Sequence, residues 1–201
     1  MFIDMEPIIL ASSSPRRQQI LKSLGIPYIV HPADIEEEIP DGMKLEEAPE
    51  YIAAKKIDAV ARKISQEHEI GWILAADTVI IFRNKIYGKP KDMDEAREFI
   101  RLFQGNTHKV VTGVALYNGS LHYMSTRRSV NKVTFAPMSE NEIEWYLSTS
   151  EWHGAAGGYR IQENGSCFIS KIEGTESSIV GLPIFELCDM LREQNYKLFE
   201  S

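Results

Sequence analysis

Cysteine is scarce in this chain: Cys167 and Cys188 are its two thiols, with neither CxxC spacing nor matching histidine pairs. That excludes a disulfide framework and a zinc ribbon. The histidines His31, His68, His108, His122 and His153 are scattered without HExxH or HxH spacing, which argues against a zinc hydrolase. No GxxxxGK[ST], GxGxxG or GxSxG loop occurs, so P-loop NTPase, Rossmann dehydrogenase and α/β-hydrolase readings lack their defining turns. No apolar run approaches the length of a membrane span, and no basic, apolar leader precedes a small-residue cleavage site. A soluble, cytoplasmic protein with no membrane partner is expected. Positive charge is also in deficit. The formal net charge of -7 gives a field that repels nucleic acid, so an anionic ligand needs a local cationic cluster.

What is present suits an ordinary globular protein: 201 residues, 43% hydrophobic and 25% charged, with no repeat or low-complexity tract. A single domain over residues 1–201 is expected, built as two lobes around a cleft. Pro7 to Ser12 reads as a buried strand and Arg16 to Leu24 as a short helix stopped by Gly25. A strand near Pro27 to Val30 precedes the acidic stretch "DIEEE". A long helix is predicted from about Leu45 to Ile64, because Ile52, Ala53, Ile57, Val60, Ala61 and Ile64 share one face. "GWILAADTVIIF" reads as two apolar strands interrupted at Ala76, Asp77 and Thr78. Capping-box spacing at Asp92/Glu95 and Ser139/Glu142 opens two more helices, Asn118-Gly119 signals a two-residue hairpin, and a last helix starts behind Pro183. Cys188 falls on the apolar stripe of that helix and reads as a small core residue. The mixed order of helices, hairpins and strands predicts α/β or α+β with a mixed sheet.

Several residues stand out against this background. In "LASSSPRR" a strand ends in three serines and a proline, and Arg16 and Arg17 occupy the first turn of the helix. Acidic residues belong there by dipole arguments, each worth roughly 0.3–1 kcal/mol. The junction is either a serine-capped helix with exposed arginines or a polyphosphate clamp, in which Ser12, free N–H groups and two guanidinium forks grip oxygens. Asp77 is a carboxylate inside an apolar run. It either caps a turn or, at a strand end, holds Mg²⁺ and orients an attacking water. Glu36, Glu37 and Glu38 read as a solvated patch unless folding brings them to the arginines.

Lys56 lies along the apolar stripe of the long helix, Ile52 and Val60 being four residues to either side, while Lys55 is rotated away by about 100°. Lys56 either snorkels or points into a cleft. Lys89 tips the turn "YGKPKD". In "GAAGGYRIQENG", Tyr159 and Gln162 suit recognition of a base edge as well as a plain glycine-rich turn.

Taken together, "LASSSPRR", "AADT", "GKP", "GGYRIQ" and "SSIVGLP", in this order and over nearly the whole length, resemble the Maf family of nucleoside triphosphate pyrophosphatases, formerly described as septum-formation proteins. The resemblance implies an inosine-triphosphatase-like α/β fold, with a long mixed sheet flanked by helices. It also implies metal-dependent hydrolysis of a nucleoside triphosphate to the monophosphate and pyrophosphate, with Mg²⁺ as the metal and Mn²⁺ or Co²⁺ as replacements. Carried over by position, Ser12, Arg16 and Arg17 match the phosphate-gripping loop, Glu37 the acidic residue after the second strand, Lys56 the lysine of the long helix and Asp77 the catalytic acid. Lys89 matches the "KP" lysine and Gln162 the glutamine of "YxIQ". Glu37 and Asp77 are the implied metal ligands, and a homodimer is common in such families.

"SPRR", "ADT" and "YxIQ" resemble the branch acting on dTTP and UTP rather than the 7-methyl-GTP branch. Three positions depart from the pattern: Lys55 replaces a frequent Glu, "GAAGGY" lacks the lysine of "KAGAY", and Arg160 replaces a small residue. Two rival functions go with the resemblance. One is a nucleotide-binding regulator of cell division that needs no hydrolysis; the other is a house-cleaning inosine or xanthosine triphosphatase.

Overall fold

The computed structural model describes residues 5–64 and 71–198. His68 lies outside them. The chain forms β1 (Ile8–Leu10), α1 (Pro15–Ser23), β2 (Tyr28–Val30), α2 (Ala48–Ile64), β3 (Trp72–Phe82), β4 (Lys85–Tyr87) and α3 (Met93–Phe103). Then come β5 (Thr107–Asn118), β6 (Tyr123–Phe135), α4 (Glu140–Ser148), β7 (Ile169–Glu173), α5 (Glu176–Val180) and α6 (Ile184–Glu193). Among the described residues one seven-stranded sheet has the order β2-β1-β3-β5-β6-β7, with β4 paired to β3. It is mixed: β1 pairs in parallel with β2 and β3, whereas β3–β4 and β6–β7 are antiparallel. This is the expected α/β class.

Two compact units share the sheet strands. The first comprises the described parts of Met1–Asp77, Thr112–Ser129 and Gly181–Ser201; the second comprises Thr78–Val111 and Val130–Val180. In the first unit the period-2 alternation of strands separates two cores. Ile8 and Leu10 of β1 and Trp72, Leu74 and Ala76 of β3 face Leu21 of α1 and Leu187, Met190 and Leu191 of α6. Ala11, Ile73, Ala75 and Ala115 face Ala53, Ile57 and Val60 of α2. Burying each large aliphatic side chain contributes about 1.5–3 kcal/mol, so this face holds α2 in register with the strand ends. At Gly113 a Cβ would run into the backbone of Pro49 and Glu50, so glycine there lets the start of α2 sit directly on β5.

The second unit packs α3 and α4 around an aromatic core that includes Phe103, Phe135, Tyr146, Trp152, Tyr159 and Phe168. Both helices start as predicted. Asp92 accepts from the Glu95 amide at 2.8 Å, and Ser139 with Glu142 forms a full capping box. Cys188 is buried on α6.

Two local readings change, and one short helix was not read from the sequence. "WILAADTVIIF" is a single strand, because Asp77 finds a buried partner and the chain has no need to turn. The loop after Asn118 has four residues: the Asn118 side chain accepts from the Leu121 amide at 3.3 Å, and His122 takes the positive φ instead of Gly119. The five-residue α5 is short for any periodicity to register.

Candidate active site

The parity that sends Ile73 and Ala75 toward α2 continues to Asp77, two residues further along β3. There the apolar lining ends and the carboxylate meets Lys56 of α2, Nζ to Oδ1 2.8 Å. Lys56 and Asp77 are each 8% exposed, so this is a buried ion pair. Isolated, either charge would cost several kcal/mol to bury, and each therefore depends on the other. Glu37 completes the group from outside: its carboxylate lies 2.6 Å from the same Nζ, on a side chain that is 55% exposed. The solvated-patch reading thus fails for Glu37, which folds against the lysine that the sequence left between snorkel and cleft.

The junction after β1 is built differently from a serine-capped helix. Ser14 occupies the N-cap in an extended conformation, with Pro15 behind it, but its side chain makes no capping bond, and the first turn holds no acidic residue. Ser12 instead organises the turn. Its Oγ accepts from the Ser14 amide at 3.2 Å and from Arg17 Nη1 at 2.9 Å. Arg17 Nε donates to the Gly181 carbonyl at 2.8 Å, in the segment that leads into α6. Two directional bonds hold the guanidinium plane in place, which a lysine would not allow. Burial lowers the pKa of Arg17, opposed by the field of Asp77, reinforced by that of Arg16 and opposed again by Glu37. Those couplings put Arg16, Arg17, Glu37 and Asp77 in one electrostatic neighbourhood.

Ser12, Arg16, Arg17, Glu37, Lys56 and Asp77 all belong to the first compact unit. Lys89 and Gln162 belong to the second, and both are exposed. Lys89 lies between β4 and α3, in the turn the sequence predicted. Arg160 folds back onto its own loop, donating to the His153 carbonyl at 3.1 Å and facing Glu163 at 3.5 Å. Two residues of the second unit that the sequence did not single out support that loop. Glu151, 8% exposed, accepts from the Asn164 amide at 3.1 Å, from the Gly165 amide at 3.3 Å and from the Asn164 side chain. His108, 2% exposed, shares a 2.6 Å hydrogen bond with the Tyr159 hydroxyl. A buried polar residue in an apolar strand was the available signal for His108; Glu151 carried none.

The donor set fits a hard divalent cation. Two carboxylates converge on one cationic centre, the Lys56 ammonium, which brings an oxygen of Glu37 and one of Asp77 into the same small volume. No group of three or more His, Cys, Asp and Glu that could hold a metal exists among the described residues. Magnesium characteristically takes one or two carboxylates and completes its shell with water and substrate phosphates, so a two-carboxylate site beside an arginine loop suits it.

Residues 7–194 match the family model described as "Maf-like protein". The chain belongs to that family. A Maf relative from Pelotomaculum thermopropionicum, named dTTP/UTP pyrophosphatase, is 37% identical over 194 residues, covering 96% of this chain and 100% of its own. A relative of the same name from Pyrococcus furiosus is 41% identical over 194 residues, covering 96% and 98%. Among solved structures, the Staphylococcus aureus Ham1 protein matches at 16% identity and a TM-score of 0.45, over 65% of this chain and 72% of that one. No helix of the described residues is long and apolar enough to cross a membrane.

Proposed function

We propose that this Maf protein hydrolyses nucleoside triphosphates, dTTP and UTP foremost, to the monophosphate and pyrophosphate. The observation that carries the reading is the buried Lys56–Asp77 pair joined by Glu37, in the same unit and the same electrostatic neighbourhood as the Ser12–Arg17 loop. A nucleotide-binding surface alone gains nothing from a buried carboxylate beside its arginine loop. The preference for dTTP and UTP is supported by the relatives' names and by the "SPRR", "ADT" and "YxIQ" motifs.

In the proposed reaction Asp77 orients a water for in-line attack on the α-phosphorus and takes up one of its protons. The bond from the α-phosphorus to the bridging oxygen breaks, and pyrophosphate leaves with that oxygen. Arg16, Arg17 and Lys56 offset charge on the triphosphate and on the departing group, a stabilisation worth several kcal/mol when donors are fixed beforehand. Ser12 donates its hydroxyl proton to a phosphate oxygen. Glu37 and Asp77 would hold the divalent metal, Mg²⁺ with Mn²⁺ or Co²⁺ as replacements, which would supply Lewis-acid neutralisation of the phosphates. Lys89 for the phosphates and Gln162 for the base are assigned by the sequence motifs alone.

The deciding experiment is pyrophosphate release with Mg²⁺ across dTTP, UTP, CTP, GTP, ITP and 7-methyl-GTP, with Asp77→Asn as control. Turnover of dTTP and UTP that disappears in Asp77→Asn supports the enzyme. Nucleotide binding without release points to the regulator, and a purine preference points to the inosine-triphosphatase role. We extend the proposal, on the resemblance, to a cytoplasmic homodimer and, on the formal net charge of -7, to a protein that does not bind nucleic acid.

A further inference from the structure

Two adjacent lysines on α2 hold two consecutive residues of the acidic segment. Lys56 takes the Glu37 carboxylate at 2.6 Å, and Lys55 Nζ donates to the Glu36 carbonyl at 3.0 Å. Residues 31–40 have no regular secondary structure, so no ladder of backbone bonds sets the direction of Glu37. The Glu36 carbonyl lies in the same planar peptide as the Glu37 nitrogen, and a bond to it restricts the axis from which the Glu37 side chain leaves. Lys55 is itself braced. Its Nζ lies 5.7 Å from the centre of the Tyr51 ring, one turn earlier on the same helix.

We propose that Lys55 is a positioning residue: it pins the Glu36–Glu37 peptide so that Glu37 is presented beside Asp77 as a metal ligand. The inference rests on the reading of Glu37 as a ligand given above. It also fixes the sign of an effect. Removing a positive charge near two carboxylates would, by Coulomb attraction alone, make a divalent cation bind more tightly. Losing the pin does the reverse, because a mobile Glu37 must be ordered each time the metal binds.

The test compares wild type, Lys55→Met, Lys55→Arg and Glu37→Gln. The readouts are hydrogen exchange of the 33–39 amides without metal or nucleotide, and the Mg²⁺ dependence of dTTP hydrolysis. In Lys55→Met we expect faster exchange in that segment and a half-saturating Mg²⁺ concentration raised about three- to ten-fold, the size of one lost hydrogen bond. Its kcat at saturating Mg²⁺ should stay within about two-fold of wild type, and Lys55→Arg should restore both readouts. Unchanged exchange in Lys55→Met overturns the pin. Faster exchange with an unchanged or lowered Mg²⁺ requirement overturns the link to the metal. If Glu37→Gln leaves the Mg²⁺ requirement unaltered, the ligand reading itself falls and this inference with it; the exchange data still report separately on the pin.

Discussion

The Lys56 ammonium lies 2.8 Å from Asp77 Oδ1, and both groups are almost wholly buried. Deleting one member of such a pair leaves the other charged and unsolvated, at a cost of about 3–5 kcal/mol. Lys56→Met should therefore lower the unfolding free energy by about 3 kcal/mol, less if water reaches the pair through Glu37. Asp77→Asn keeps an oxygen acceptor for Lys56 at similar volume. We expect it to cost about 1–2 kcal/mol and to lower kcat by at least about a thousand-fold. Urea unfolding alongside single-turnover kinetics separates the two effects.

Arg17 is held by Ser12 Oγ and the Gly181 carbonyl. Lysine cannot reproduce both bonds in one plane. Arg17→Lys should reduce kcat/KM for dTTP by about a hundred-fold with little change in melting temperature, and Ser12→Ala by about ten-fold. Steady-state kinetics at saturating Mg²⁺ checks the order of the two.

His108 makes acid stability a property of the second unit. Burial lowers its pKa to about 4, from an ordinary value of 6.5. Between those values the unfolded chain binds the proton and the folded chain does not. Stability from this group is present above pH 6.5, declines as pH falls, and levels off below pH 4. The gap corresponds to about 3 kcal/mol. His108→Phe removes the titration together with the bond to Tyr159. The stability difference between wild type and variant should thus shift in the variant's favour by about that amount from pH 7 to pH 4, as read by chemical denaturation.

Glu151 holds three donors from Asn164 and Gly165 in the loop that follows Gln162. Glu151→Ala should cost about 2–4 kcal/mol, since the buried Gly165 amide and the part-buried Asn164 donors lose their shared acceptor. If Gln162 reads the base, Gln162→Leu should lower kcat/KM for dTTP and UTP by about ten-fold or more while leaving melting unchanged. A purine and pyrimidine panel reports the change in preference.

Local chemistry explains what was legible in the sequence. The starts of α3 and α4 were readable because Asp92 and Ser139 cap three residues ahead, and α2 because its stripe repeats at helical spacing. Asp77 was legible as an outlier, but its strand was read as broken, because the partner that satisfies it is 21 residues away on a helix. Glu37 could not be distinguished from Glu36 and Glu38 by composition. The choice among them is made by the reach of Lys56, which is a property of the packed α2 and β3. The role of Gly181 was likewise hidden, because its contribution is a main-chain carbonyl.

Arg17 and the Gly181 carbonyl that orients it are separated by 164 residues. A ribosome adding about 5–20 residues per second takes on the order of ten to thirty seconds to make that interval. During that time the arginine loop of the nascent chain lacks its distant anchor. The Ser12–Arg17 end of the candidate site is therefore among the last features to mature as the polypeptide is made, and a chain arrested before Gly181 would carry Asp77 without a fixed Arg17.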